Sequence, residues 1–208
     1  MGRMWLEALI VFPALLLALA LRPWRAVPAS GPPWPWLAWW ATMPLLWGAD
    51  QVARIPIVQP LSGTCLLVLL LGWPLAMLAL LPVALVTTLM GPMGWIEGLS
   101  RLTWLGVVPG TLLLLLGSAI RRWMPHHLFV YILGRGFFAS VVAGSVAGVL
   151  AMWANGLPAG TGVEDLLIGR WLSAWGDAFL TGMFVAIFVA FRPDWLATYS
   201  DRLYLPKA

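Results

Sequence analysis

The longest apolar stretch of the chain is LSGTCLLVLLLGWPLAMLALLPVALVTTLM, residues Leu61 to Met90. As one helix it would be roughly 45 Å long at 1.5 Å per residue, which exceeds the ~30 Å hydrocarbon layer of a bilayer. The sequence LGWP lies near its middle, and a glycine followed closely by a proline interrupts helices. We therefore predict two short membrane segments that meet at Gly72 to Pro74.

The composition of the whole chain is typical of a membrane protein. Of its 208 residues, 62% are hydrophobic and 10% are charged, whereas soluble domains have about 25% charged residues. This leaves no room for a soluble catalytic domain. The basic residues behind the net charge of +4 are scattered singly between apolar runs, so we interpret them as topology signals and not as a nucleic-acid surface. We predict an all-α, polytopic helical bundle that forms a single transmembrane domain over residues 1–208.

Prolines, glycines and charge clusters divide the chain into about seven apolar segments. Besides the two within Leu61 to Met90, these segments cover residues 5–21, 36–52, 102–120, 128–153 and 171–191. The first could be a signal peptide, but Arg22 and Arg25 follow it as the flank of a membrane anchor would. We therefore predict a retained first helix.

The distribution of lysine and arginine predicts the orientation. With seven segments, one side receives Arg22, Arg25, Arg121, Arg122, Arg192, Arg202 and Lys207, and the other side keeps Arg3, Arg54, Arg101 and Arg170. Because cytoplasmic loops are enriched in lysine and arginine, the C-terminus is predicted to be cytoplasmic. The count is the same for six segments, so charge decides neither the number of segments nor the side of the N-terminus.

Two ionisable side chains lie deep within apolar segments, Arg135 in VYILGRGFFASVV and Asp177 in WGDAFLTGMF. A charge at the bilayer centre costs about 2.5 to 3.5 kcal/mol on insertion scales, so such residues face protein or water and find a partner. We predict an Arg135–Asp177 ion pair, with the hydroxyl of Thr181 one helical turn from Asp177. This pair is either structural or part of a substrate or ion pathway. Alternatively, Arg135 extends towards Tyr131 and the interface. Glu7 is a third ionisable residue, near the end of the first helix.

A face of small residues accompanies Arg135. Its members recur every four residues, and they are Gly136, Ser140, Gly144 and Gly148. Small residues at this spacing allow another helix backbone to come close, which is how helices associate within lipid. The face therefore predicts either packing within the chain or contact with another subunit.

Motifs of enzymes are missing from the sequence. HExxH, GxSxG, GxGxxG and the P-loop do not occur, so we predict no catalytic residue, no cofactor and no enzymatic activity. Cys65 is the sole cysteine, which excludes an internal disulfide and any CxxC site. His126 and His127 are adjacent, and on a helix they would point about 100° apart, so one metal ion does not easily take both.

Three stretches bear a family resemblance. LSGTCLLVLLLGWPLAML (residues 61–78) is similar to an "L-x-G … LLLGPWAA" segment, and DAFLTGMFVAIFVAFRPDWL (residues 177–196) looks like a C-terminal helix with an acidic residue, a glycine and a closing Arg-Pro-acid. Both patterns belong to the membrane-embedded permease subunits of cobalt/nickel energy-coupling-factor ABC transporters. MPHHLFVYILGRGFFAS (residues 124–140) is closer still to a related group of uncharacterised bacterial membrane proteins.

The resemblance implies a substrate-capture subunit of the bacterial inner membrane that works with a membrane coupling subunit and cytoplasmic ATPase subunits. It places Asp177 at the acidic position of the family's last helix. Gly2 and Pro60 stand where the cobalt/nickel proteins have histidines, so no tight nickel or cobalt site is predicted. The expected function is therefore a substrate-capture permease in contact with membrane lipids. The alternative is an accessory structural subunit of a larger membrane complex, with the small-residue face as its contact.

Overall fold

The computed structural model describes residues 2–27, 31–53, 59–157, 162–200 and 204, and all regular elements in these parts of the chain are helical. The α-helices are α1 (Gly2–Ala20), α2 (Trp34–Trp47), α3 (Ala49–Ala53), α4 (Thr64–Leu71), α5 (Trp73–Met90), α6 (Trp95–Arg101), α7 (Val108–Trp123), α8 (Ala139–Asn155) and α9 (Val163–Phe191). π-Helical turns over Leu102–Val107 join α6 to α7, and those over Val130–Phe138 lead into α8. The all-α prediction is confirmed.

Four helical stretches among the described residues are long and apolar enough to cross a membrane. They are Trp73–Met90, Trp95–Trp123, Val130–Asn155 and Val163–Phe191, and a shorter apolar helix covers Met4–Ala20. Large apolar side chains such as Leu9, Phe12 and Phe179 are exposed on the outside of the bundle. Outward-facing apolar helices of this length are typical of a membrane protein.

The predicted interruption of the long apolar block is confirmed. Helix α4 ends at Leu71 and α5 begins at Trp73, and Gly72 between them has φ 78° and ψ 154°, a backbone conformation that glycine adopts without strain. However, α4 has only eight residues, which corresponds to about 12 Å. Helix α4 is therefore too short to cross the bilayer by itself, so the two short segments predicted within this block are not both spanning helices. The predicted segment over residues 36–52 is also divided, because α2 ends at Trp47 and α3 follows Gly48.

Helix α4 is the centre of the bundle. All eight of its residues are buried, and it packs against α2, α5, α7 and α9. Its sequence TCLLVLLL is apolar on every side, which is the pattern expected of a helix that has no exposed face. The non-helical residues 59–63 precede it; residues 59–61 are half-buried, and residues 62 and 63 are buried. The core of the molecule therefore surrounds a short helix that has little contact with lipid.

Close contacts at glycines show how the longer helices run. A Cβ atom placed on Gly136 would lie 3.3 Å from Val185, and one placed on Gly148 would lie 3.3 Å from Arg170, so α8 and α9 are antiparallel. Helix α5 and the α6–α7 stretch are antiparallel as well, because Gly98 meets Thr88 whereas Gly110 meets Met77.

The bundle has two chemically different ends. The basic end carries Arg22, Arg25, Arg121, Arg122 and Arg192, and the mixed-charge end carries Asp50, Glu97, Glu164 and Asp165 together with Arg101 and Arg170. Arg54, Arg202 and Lys207, which also entered the orientation prediction, lie outside the described residues. The α1 helix runs from the mixed-charge half, where Glu7 contacts Trp104, to the basic end.

Candidate functional site

Asp177 lies at the start of the short central helix. The backbone amide of Gly63 donates to both carboxylate oxygens of Asp177, at 2.9 and 3.1 Å, and the amide of Ser62 donates to Oδ2 at 3.2 Å. Asp177 is buried, with 8% of its surface exposed. Two successive amides that converge on one carboxylate form an anion-binding concavity. In this protein the anion is a side chain of α9, so α9 holds the N-terminal end of α4.

The left-handed backbone at Gly63 makes this concavity possible. Gly63 has φ 66°, and a Cβ atom there would also lie 3.2 Å from the side chains of Leu46 and Trp39. Since other residues rarely adopt positive φ, glycine is required by both conformation and space. The turn aims the amides of residues 62 and 63 at α9. The sequence LSGT is thus the local reason that α4 begins where it does.

The remaining polar groups of this turn are paired within the protein. The indole Nε1 of Trp47 donates to the carbonyl of Ser62 at 2.6 Å, and the Nε1 of Trp39 donates to the carbonyl of Gly63 at 2.8 Å. The hydroxyls of Ser62 and Thr64 both donate to the carbonyl of Leu105, at 2.6 and 2.8 Å. Irregular backbone at membrane depth is tolerated only where protein or water satisfies it. Tryptophan and hydroxyl side chains fulfil that condition here.

The other end of α4 is held by the segment that follows α9. The amide of Ala197 donates to the carbonyl of Leu70 at 3.0 Å, and the hydroxyl of Thr198 donates to the carbonyl of Leu69 at 3.0 Å. The terminal carbonyls of a helix have no partner within the helix, so these bonds act as a cap. Asp177 of α9 therefore holds the start of α4, and Ala197 and Thr198, which follow α9, hold its end.

The predicted Arg135–Asp177 ion pair is wrong. Arg135 Nη1 donates to the carbonyl of Thr198 at 3.3 Å, and the guanidinium lies 5.8 Å from the ring centre of Tyr131. Because Gly136 is level with Val185, Asp177 lies eight residues away along α9, which corresponds to about 12 Å. The contact with Tyr131 agrees with the alternative interpretation, in which Arg135 extends towards the interface. Its Nε has no partner among the described residues.

The other predicted site residues have packing roles. The hydroxyl of Thr181 donates to the backbone carbonyl of Asp177 at 2.8 Å, so it is one turn away as predicted but turns back onto its own helix. The small-residue face on and before α8 packs within the chain: Gly136 faces Val185, Gly144 faces Ala174 and Gly148 faces Arg170. Ser140, also in this face, donates to the carbonyl of Gly136.

A polar cavity of about 130 Å³ opens at the mixed-charge end. Its polar walls are Gln59, Ser100, Arg101, Asn155 and Arg170, and its apolar walls are Pro60, Trp104, Leu105 and Ala151. A narrow cleft shares several of these walls and reaches Ser62 and Asp177. The Asp177 carboxylate and its amides therefore lie beneath the cavity, next to a cleft of only about 10 Å³.

The two arginines of the cavity have different surroundings. Arg101 donates to both oxygens of Asp50, at 2.8 and 2.7 Å, and to Glu97 at 2.9 Å. Its hydrogen bond holds the pKa of Asp50 below the ordinary value. Arg170 donates to the carbonyl of Gly148 but forms no ion pair with any described residue, and its buried Nε has no partner among them.

Two further groups bear on metal binding. Glu7 is 2% exposed; its Oε1 accepts from the Trp104 indole at 3.3 Å, and its Oε2 has no partner in the described part of the chain. His126 and His127 are exposed at the basic end, where His127 stacks on Phe129. No group of three or more His, Cys, Asp or Glu side chains that could hold a metal occurs among the described residues. The polar cavity brings together several donors that could hold a ligand: Gln59, Ser100, Arg101, Asn155 and Arg170.

Sequence reasoning missed Ser62, Gly63 and Arg170 as parts of the site. Ser-Gly-Thr immediately before an apolar run is a helix-start signal that could have identified this turn, but the segment was predicted to begin at Leu61, whereas α4 begins at Thr64. Arg170 was counted as a loop charge because the last segment was predicted to begin at residue 171, whereas α9 begins at Val163.

Comparison of the chain with protein-family models, curated proteins and solved structures finds no match.

Proposed function

We propose that this protein is a multi-spanning membrane transport subunit of the substrate-capture type, which works with separate coupling and ATPase subunits. One observation carries the proposal: a short central helix begins inside the bundle at Asp177, beneath a polar cavity that opens at one end. Substrate sites of many transporters lie near the membrane midplane where a helix is discontinuous. Ionisable residues within membrane segments also mark substrate or ion pathways.

The same geometry supports the seven predicted membrane segments. The non-helical residues 59–63 enter the bundle at the polar cavity, and α4 continues to the basic end. Together they cross the layer that α4 is too short to cross by itself. With α1, α2, α5, α6–α7, the stretch ending in α8, and α9, this discontinuous segment makes seven crossings.

We further propose that the basic end faces the cytoplasm of a bacterial inner membrane. The arginines of that end outnumber those of the mixed-charge end, which is the bias expected of cytoplasmic loops. Seven crossings then put the N-terminus outside and the C-terminus in the cytoplasm. The polar cavity opens to the outside, where a capture subunit meets its substrate.

Cysteine labelling tests this orientation. In a Cys65→Ala background, Ile96→Cys at the mixed-charge end is expected to react with a membrane-impermeant maleimide in intact cells, because Ile96 is 62% exposed. Met124→Cys, 45% exposed at the basic end, is expected to react only after permeabilisation. The Cys65→Ala protein without a new cysteine is the control. The opposite labelling pattern would show that the orientation is reversed.

Isolation of the protein with its partners tests the function. The tagged chain is extracted in mild detergent from membranes of its own cells, and the co-isolated proteins are identified and their ATP hydrolysis is measured. We expect a membrane coupling subunit and ATPase subunits in fixed ratio, with hydrolysis that depends on their nucleotide site. A respiratory or photosynthetic assembly in their place would contradict the proposal and support the accessory structural role.

A further inference from the structure

The geometry points to a small organic monocarboxylate as the ligand of the polar cavity, with Arg170 as the residue that binds its carboxylate. This inference deepens the proposed transport function and rests on it for its biological meaning. The binding claim itself depends only on the cavity.

The charges of the cavity favour an anion. Among the described residues, only Arg101 and Arg170 line it with charged side chains. Arg101 is saturated, because Asp50, Glu97 and the carbonyl of Trp47 accept from its terminal nitrogens. Arg170 has no counter-ion among the described residues: its Nη1 donates to the carbonyl of Gly148, and its Nη2 forms no hydrogen bond with any of them. Arg170 is half-buried, and a ligand carboxylate in the cavity would supply the missing counter-ion through charge-assisted hydrogen bonds.

The neutral polar side chains of the cavity complement this charge. Asn155 Nδ2 approaches Ser100 Oγ at 3.5 Å, which is at the limit of a hydrogen bond, and Gln59 has no side-chain partner among the described residues. These groups can therefore donate to a ligand oxygen. Trp104 and Leu105 supply apolar surface for an uncharged body.

The size and depth of the site limit the ligand further. A cavity of about 150 Å³ accommodates benzene, and the present one has about 130 Å³. The cleft beneath it ends at Asp177, whose negative charge is directed into the same bundle. A second carboxylate would find no further free cation in the cavity, because Arg101 is paired with Asp50 and Glu97, so a monocarboxylate is favoured over a dicarboxylate.

Pairs of ligands that differ only in charge test the inference. The protein is reconstituted in phosphatidylcholine nanodiscs at low ionic strength, and its thermal unfolding and ligand affinity are measured with propionate and propionamide, and with acetate and acetamide. We expect the carboxylates to raise the unfolding temperature and the amides to leave it unchanged. Equal stabilisation by the amides, or no binding of either carboxylate, would overturn the proposal.

Matched variants assign the binding to Arg170. Arg170→Gln is expected to weaken carboxylate binding at least about tenfold, since a hydrogen bond to a charged group contributes about 1.5 to 3 kcal/mol. Arg122→Gln, an exposed arginine at the basic end, removes the same charge and should bind normally. Because Arg170→Gln could fail to fold, Asn155→Asp provides a second test: its carboxylate should stabilise the protein and abolish carboxylate binding. Unchanged affinity in Asn155→Asp would overturn the proposal.

Two outcomes distinguish carboxylate binding from lipid binding at this site and from the proposed transport function. Phosphatidylglycerol nanodiscs offer a lipid anion in place of a soluble one. If phosphatidylglycerol stabilises the protein through Arg170 while propionate and acetate have no effect, the site binds lipid and the inference fails. If carboxylates bind but isolation yields no ATPase subunits, the inference stands and the proposed transport function fails.

Discussion

Replacing Asp177 with leucine is expected to lower the free energy of unfolding by about 2 to 6 kcal/mol, because it leaves two buried amides without an acceptor at about 1 to 3 kcal/mol each. The amides are those of Ser62 and Gly63, which donate to the carboxylate at 2.9 to 3.2 Å. Reversible unfolding in mixed detergent micelles measures the difference. Asp177→Asn keeps one acceptor oxygen and should cost less than half as much.

The control for this prediction lies two residues further along α9. Phe179 is 64% exposed on the outer face, so Phe179→Leu should change stability by less than about 0.5 kcal/mol. If Asp177→Leu is as stable as the unmodified protein, the amides of residues 62 and 63 have another acceptor and α9 does not hold the start of α4.

A double variant distinguishes this arrangement from an ion pair. Arg135 and Asp177 belong to separate hydrogen-bond networks, so the effects of Arg135→Gln and Asp177→Asn should add to within about 0.5 kcal/mol. Recovery of stability in the double variant would instead show that the two charges interact.

Replacing Gly144 with leucine is expected to destabilise the bundle by about 1 to 3 kcal/mol, the usual cost of overpacking a core. A Cβ atom at this position would already lie 3.0 Å from the Cβ of Ala174 and 3.4 Å from its Cα, so the larger side chain forces α8 and α9 apart. Membrane insertion should be unaffected, because leucine keeps the segment apolar. Thermal unfolding and the yield of membrane-inserted protein are the measurements.

Val142 provides a matched control on the same helix. It is 46% exposed, and Val142→Leu adds one methylene on the outer face, so its effect should stay within about 0.5 kcal/mol. A Gly144→Leu protein with normal stability would mean that α8 and α9 can separate at this level without loss.

The helical class and the interruption at Gly72 could be predicted because both depend on local sequence. Apolar runs of membrane length predict helices, and a glycine near a proline predicts a break. The small-residue face was also visible, since its spacing places Gly136, Gly144 and Gly148 on one side of a helix. The choice between internal and external packing was left open, because spacing does not identify the facing helix.

The partner of Asp177 could not be predicted, because it is backbone. Sequence reasoning assigned the carboxylate to the nearest buried cation, Arg135, but amides can stabilise an anion equally well when a turn aligns them. Those amides lie 114 and 115 residues earlier in the chain. No local sequence pattern indicates a contact between residues so far apart in the chain. Arg170 was missed for a related reason: α9 begins earlier than the apolar run, with Glu164 and Asp165 in its first turn, where acidic residues stabilise a helix.

The position of α4 also constrains the order in which the protein can assemble. Residue 69 is made 129 residues before its partner Thr198, and at about 5 to 20 residues per second that interval is roughly 6 to 26 s. During this time the nascent third segment has neither the length to cross by itself nor the groups that later fix its two ends. The Leu61–Leu71 segment must therefore remain bound to earlier helices or to the insertion machinery until α9 has been synthesised and inserted. Folding of the centre of this protein is therefore completed only after α9 and the segment that follows it have been made.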